Sequence, residues 1–259
     1  VTDTQGIDET PAARGARFRA EAAARGFEAA EVESYISTAR PAVYLASDGP
    51  GPVVALTGGH PPLPEDAPAP KAAFVASVDC AALPPGATDL PLPTEGRLLF
   101  FADPDPGSGA VTADAVRYLP AGTPLVERSD DPDDGPGAYR RARLDFCFHQ
   151  WSWPWREEDD DEESERAAEL ESAWSHVVGW RPHWRLQLGG EPVVFNDDPI
   201  EVVRDELPLP DGDEWTLLAT WRGEDDCEEL EAGLFHWVIR RADLAALRFD
   251  RVYVYVDAF

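Results

Sequence analysis

One run of residue types occurs twice along this chain. It opens with a glycine pair and a proline, as Gly58-Gly59-His60-Pro61 and again as Gly189-Gly190-Glu191-Pro192. An apolar segment follows, Ala73 to Asp79 in the first copy and Trp215 to Trp221 in the second. Each copy then passes a glycine into a further apolar run, Gly96 to Phe101 and Gly233 to Val238. Each ends in an alternating stretch, Ala115 to Leu119 and Arg251 to Val256. Short apolar runs bounded by glycine, proline and aspartate read as strands joined by turns. A pattern written twice predicts an architecture built twice. The expected class is α+β, a twisted mixed or antiparallel β structure made of two related halves, with N-terminal helices packed outside. One domain is expected, because each half has too few strands to bury its own face.

The remaining segments fit around that plan. Pro11 follows Thr10 as a first helical residue follows an N-cap, and Gly26 is a natural stop. Glu28 to Thr38 places Val32, Tyr35 and Ile36 on one helical face. Arg40-Pro41 ends that helix, because a residue before proline is pushed out of the α region. Strands are expected at Ala42 to Ala46 and Val53 to Leu56. Pro61 to Pro70 reads as irregular, and Ser129 to Gly137 as a surface loop. A helix carrying Leu170, Trp174, Val177 and Val178 follows an acid-rich run, and a short helix is expected at Ala242 to Leu247. The domain plan is thus a helical segment over 1–40 and a domain over 41–259. Its halves cover about 41–128 and 183–259, with an aromatic and acidic insert at 139–182.

Charge bounds the partners. Lys and Arg total 22 against 50 for Asp and Glu, a formal net charge of −28, and Lys71 is the single lysine. Such a field repels nucleic acid and anionic membranes and attracts basic partners. No apolar run approaches the roughly 18 residues of a membrane span. The first six residues have no basic or apolar leader pattern, so no secretory signal is expected there. The cysteines, Cys80, Cys147 and Cys227, are odd in number and widely spaced, which predicts reduced thiols and a cytoplasmic protein.

Taken as an ordered set, these segments resemble the YwqG-like (DUF1963) family of bacterial proteins over roughly residues 40–259. The N-terminal match runs from Gly58-Gly59 through Pro61 and Leu63-Pro64 to Asp79, then to Gly96-Arg97-Leu98-Leu99-Phe100-Phe101. The C-terminal match runs from His183-Trp184-Arg185-Leu186 through Gly189-Gly190-Glu191-Pro192, Trp215-Thr216-Leu217-Leu218 and Ala232-Gly233-Leu234-Phe235-His236-Trp237. It ends at Asp243-Leu244 and Phe249-Asp250-Arg251-Val252. Ser77 and Thr220 stand near places where the resemblance implies glutamine, and the usual tryptophan is missing around Ala67 to Pro70. The resemblance implies a mixed, twisted β architecture with a pseudo-repeat; it implies no activity.

The candidate chemistry is sparse. The pairs Gly58-Gly59 and Gly189-Gly190 suit turns needing positive φ better than anion cradles. Cys147, His149, His176 and His183 are ligand-capable, but no paired metal spacing supports them. Cys227 sits among Asp225, Asp226, Glu228 and Glu229, which oppose a thiolate. No catalytic residue, metal or cofactor is expected. The aromatic stretch is more pointed. On a strand, Trp151, Trp153 and Trp155 share one face, as a core wall or a binding platform. They run straight into Glu157, Glu158, Asp159, Asp160 and Asp161.

The leading expectation is therefore a non-enzymatic, cytoplasmic protein that captures a basic protein or peptide, immunity-like or regulatory. The tryptophans would anchor the partner and the acids would steer it. The alternative is a small-ligand binder or enzyme with a pocket between the two halves. That pocket would be lined by His60, His236 and the residues at Gly58, Gly59, Gly189 and Gly190. A DNA-mimic role would require carboxylates spaced along a ridge as phosphates are.

Overall fold

The structure, a computed structural model, describes residues 11–103, 110–111, 114–126, 139, 141–154, 162–179, 183–210, 212–223 and 233–257. Helices α1 (Pro11–Ala24) and α2 (Ala29–Ser37) come first. Strands β1 (Arg40–Ala46), β2 (Val53–Thr57), β3 (Phe74–Asp79), β4 (Arg97–Phe101), β5 (Ala110–Val111) and β6 (Val116–Leu119) follow. Then come β7 (Ala142–Ser152), α3 (Glu162–Val178), β8 (Leu186–Gly189) and α4 (Pro199–Glu206). The chain closes with β9 (Trp215–Arg222), β10 (Leu234–Arg240), α5 (Arg241–Ala245) and β11 (Tyr253–Asp257). The second helix ends at Ser37 with Thr38 as its cap, within the expected Glu28 to Thr38, and Arg40 and Pro41 already belong to β1. Strand β8 was not foreseen, and neither were two further elements. One is α4, where Asp198 accepts from the Ile200 N–H at 2.7 Å and Pro199 takes the first helical position. The other is β5.

All eleven strands form one sheet in the order β5-β11-β10-β9-β8-β1-β7-β2-β3-β4-β6. Every pairing in it is antiparallel. The fold is thus α+β with an antiparallel sheet. The sheet is strongly curled. Strands β4 and β10 stand seven places apart in the order. In a flat sheet that is roughly 33 Å at 4.7 Å per strand. Yet the rings of Phe100 and Trp237 lie 5.1 Å apart, edge to face, and the Trp237 indole N–H donates to the Phe101 carbonyl at 3.2 Å. The chain itself ties the two rims. Four residues separate β5, on one rim, from β6 on the other, a reach of at most about 18 Å.

Curling puts one apolar face inside. Val43, Leu45, Val75, Leu98, Phe100, Leu144, Leu186, Trp221, Phe235 and Trp237 pack in a single core drawn from both sides of β1 and β7. The outer face is covered in patches. The segment after β2 seats Leu63 on Phe74, Leu99 and Phe101, and α4 seats Val203 on Trp215, Val238 and Tyr253. Helices α1, α2 and α3 pack together around Phe18, Tyr35, Leu170 and Trp174, against Trp151 and Trp153 at the end of β7.

The pairing registers on the two sides of the central β1–β7 pair match. Leu56 faces Ser77, Ser77 faces Leu99, and Leu99 faces Arg117. Across the sheet, Gln187 faces Thr220, Thr220 faces His236, and His236 faces Tyr255. The second and third strands of each set slip at the same place, between Phe74 and Ala76 in one and between Trp237 and Val238 in the other. Strand β1 pairs with β7 and β8, while β7 pairs with β1 and β2.

Trp237 supports both the core and the curl. Trp237→Ala is expected to cost about 3–5 kcal/mol, read as a lower urea midpoint. Trp237→Phe keeps most of the packing but loses the bond to Phe101, and should cost clearly less.

Candidate functional site

The aromatic and acidic junction sits where β7 leaves the sheet. Trp151 stacks on Trp174 (5.6 Å, 19°) and Trp153 stacks on Tyr35 (4.9 Å, 20°). The Trp153 indole N–H donates to the Tyr35 carbonyl at 3.0 Å. Both tryptophans are half-buried, and each has a face occupied by another ring. They act first as the wall that holds the helices to the sheet. Trp155, Glu157, Glu158, Asp159, Asp160 and Asp161 lie outside the described residues. Polar ties bind the same layer: Arg166 pairs with Glu31 at 2.6 Å and lies over the Phe27 ring, and an Arg17 N–H donates to the Val177 carbonyl. On the solvent side α3 exposes Glu165, Glu169 and Glu171.

The glycine pairs are turns with positive φ: 58° and 70° at Gly58 and Gly59, 64° and 75° at Gly189 and Gly190. Gly190 has a second constraint. A Cβ there would lie 2.5 Å from the Ala42 Cβ, so the chain can fold back over β1 only without a side chain. Strands β2 and β8 are separated by β7 and β1, and each neighbour is antiparallel. β2 and β8 therefore run in opposite directions, and the two glycine turns lie at opposite ends of the sheet. His60 is half-buried after one turn, while His236 is fully buried within β10. The structure does not bring the expected pocket residues into one place. A surface depression of about 310 Å³ exists elsewhere, lined by Asp79, Glu95, Arg97 and Leu119 among others, all from the first half of the chain.

His236 belongs to a buried polar row. Gln187, Thr220 and His236 are each 0 % exposed, and His236 Nδ1 lies 3.0 Å from Thr220 Oγ1. Burial pushes the imidazole pKa down to about 3, so the ring is neutral at physiological pH. Residues 190–198 cross over this row. The Glu191 N–H donates to Ser152 Oγ at one end, and the Phe195 and Asn196 N–H groups donate to the Asp257 carboxylate at the other.

Glu191 also enters an ionic cluster that sequence reading did not foresee. Arg40 contacts Asp89, Glu191 and Glu214 at 3.0, 3.0 and 3.3 Å, and Arg241 contacts Asp89 and Glu214 at 3.3 and 3.5 Å. Five separate segments meet there, and no two members are close in sequence. Burial raises the Glu191 pKa, with Arg40 opposing that shift.

The thiols are quiet. Burial pushes both Cys80 and Cys147 up to about 11, and Asp79 adds to the shift at Cys80. Cys227 lies outside the described residues. His176 and His183 are exposed, whereas Cys147 is buried. Among the described residues no group of three His, Cys, Asp or Glu side chains is placed to hold a metal ion. No helix among them is long and apolar enough to cross a membrane.

The family profile described as "Domain of unknown function (DUF1963)" matches residues 56–258. The chain belongs to that family. Comparison with curated proteins finds no match.

Three measurements follow. Neutral, buried His236 stabilises the fold above its unfolded pKa near 6.5, and that contribution is lost as pH falls toward about 3. Between pH 7 and pH 5 it amounts to about 2 kcal/mol. A His236→Gln variant should lack that part of the pH dependence in urea unfolding. Cys80 and Cys147 should resist alkylation at pH 8 in the native protein and react on unfolding, as mapped cysteine by cysteine. Arg40→Ala leaves three carboxylates against Arg241 alone and should cost about 1–2 kcal/mol at pH 7. The gap to the unsubstituted protein should narrow as pH falls and Glu191, whose pKa burial raises, becomes protonated.

Proposed function

We propose that this is a non-enzymatic, cytoplasmic interaction protein that captures a basic protein or peptide, in an immunity-like or regulatory role. The observation that carries the reading is how the few basic side chains are used. Against a formal net charge of −28, arginines are tied to carboxylates of the same chain. Arg19 pairs with Glu33, Arg25 with Glu21, Arg117 with Asp114 and Arg240 with Asp213, beside the Arg40 and Arg241 cluster. The surplus of carboxylates is then left for something outside. Glu165 and Glu169 on α3 are exposed like charges at i, i+4, a pair that weakens an isolated helix by a few tenths of a kcal/mol. A basic partner would relieve that repulsion. The acidic run from Glu157 to Asp161 leads into the same helix and would steer the approach. Trp151, Trp153 and Trp155 would supply the apolar anchor beside it.

The framework for this surface is a pair of related halves, one from β1 to β6 and one from β7 to β11. The matched registers and the matched slips support that reading. So does the reciprocal pairing of each half's first strand with the second strand of the other half. In this arrangement β7 is the first strand of the second half, and α3 is inserted after it.

Affinity capture from the native host tests the functional reading. A basic protein should be recovered, with an association rate that falls steeply as salt is added. Neutralising Glu157, Glu158, Asp159, Asp160 and Asp161 together with Glu165 and Glu169 should slow association at least about tenfold with little change in stability. A captured partner without net positive charge, or an association rate indifferent to salt, would sink the proposal.

A further inference from the structure

The polar row on the outer face of β8, β9 and β10 has hydrogen-bonding capacity that the protein does not use. Gln187 Nε2 donates to the Gly189 carbonyl at 2.9 Å and to the Glu191 carbonyl at 2.7 Å. Both amide protons are therefore spent and the orientation of the side chain is fixed. Its Oε1 is buried and meets no donor among the described residues. Thr220 Oγ1 and His236 Nδ1 bond to each other, which leaves His236 Nε2 buried and likewise without a partner. The registers place Gln187 beside Thr220 and Thr220 beside His236. Two orphaned polar atoms thus flank one hydroxyl on three adjacent strands.

The segment 190–198 roofs this row and is fastened at both ends. Glu191 is held at Ser152, Asn196 at Asp257, and Asp197 accepts from the Tyr255 hydroxyl at 3.2 Å. Between those anchors Pro192 is buried, and Val193 and Val194 are half-buried. Orphaned buried polar groups are rare in folded proteins, because they lose their solvation without return. Polar interiors with two or more free groups take up ordered water, whereas apolar ones stay dry.

We propose that Gln187, Thr220 and His236 form a buried hydration site beneath segment 190–198, in which ordered water donates to Gln187 Oε1 and bonds His236 Nε2. Water suits either tautomer of His236, since it can accept from an Nε2–H or donate to a bare Nε2. The site favours a neutral occupant, because His236 is uncharged and no ionic side chain belongs to the row. A larger guest would require the roof to leave its anchors at Ser152, Tyr255 and Asp257.

A crystal structure of the full chain, at a resolution that shows ordered water, is the direct test. Water density within hydrogen-bond distance of both His236 Nε2 and Gln187 Oε1 is expected. Density for a larger molecule there, or both atoms bonded to protein groups, overturns the proposal. Water relaxation dispersion in solution provides a second readout. The unsubstituted protein should show a long-lived water signal that is lost in His236→Phe and weakened in Thr220→Val. Thr220→Val changes little in shape and serves if His236→Phe fails to fold. A signal unchanged by Thr220→Val, together with a dry site in the crystal, also overturns it.

Discussion

The antiparallel pairing of β1 with β7 is the contact on which the rest depends. Both neighbours of β1 come from later in the chain, and both neighbours of β7 from earlier in it. β1 is held between β7 and β8, and β7 between β1 and β2. Without that contact the sheet would divide into a six-stranded and a five-stranded piece, each with an apolar face in water. With it, eleven strands form one surface long enough to curl until Trp237 on β10 reaches Phe101 on β4. Val43 and Leu45 on β1 and Leu144 on β7 are fully buried, as central strands of such a sheet must be.

Curling settles the inner face but leaves the outer face needing cover. On each side of the β1–β7 pair the cover is the segment that follows the glycine pair. After Gly59 it is a proline-rich stretch that seats Leu63; after Gly190 it is the strap formed by residues 190–198, then α4, the helix that seats Val203. At Gly190 the glycine is needed because the chain turns sharply over the neighbouring strand β1, as its closeness to Ala42 shows. Where these covers meet the sheet ends, charged groups gather. Arg40 joins the start of β1 to three carboxylates from three other segments, so the ends are fastened by ion pairs where the middle is held by packing.

Much of this was legible in the sequence, and what was not has a physical reason. The strands at Phe74, Leu98, Trp215 and Leu234 announced themselves as short apolar runs between turns, and a twisted sheet, mixed or antiparallel, was the expectation drawn from them. The role of β7 was hidden. Its aromatic pattern was visible, but its place at the centre of the sheet depends on which distant strands flank it. Helix α4 was missed because Asp198-Pro199 reads equally well as a turn. The buried row was invisible because alternation marks a polar residue as outward-facing, and only the strap that crosses over Gln187 and His236 buries them. The cluster around Arg40 could not be read at all, since its members lie scattered from residue 40 to residue 241.

Charge does two separate jobs in this chain, and salt distinguishes them. The arginine ties are short and partly shielded: Arg117 and Asp114 meet at 2.7 Å and Arg166 and Glu31 at 2.6 Å. Pairs of that kind are screened less than charges acting through open solvent. The unpaired carboxylates act over longer distances, and at a net charge of −28 they repel one another as well as attract a basic partner. Added salt weakens both of those long-range effects together. It relieves the repulsion inside the folded chain while it removes the steering of anything approaching it. A fold closed by packing between Phe100 and Trp237, and fastened by short ion pairs, does not need that long-range field. The excess acidity is therefore separable from the fold.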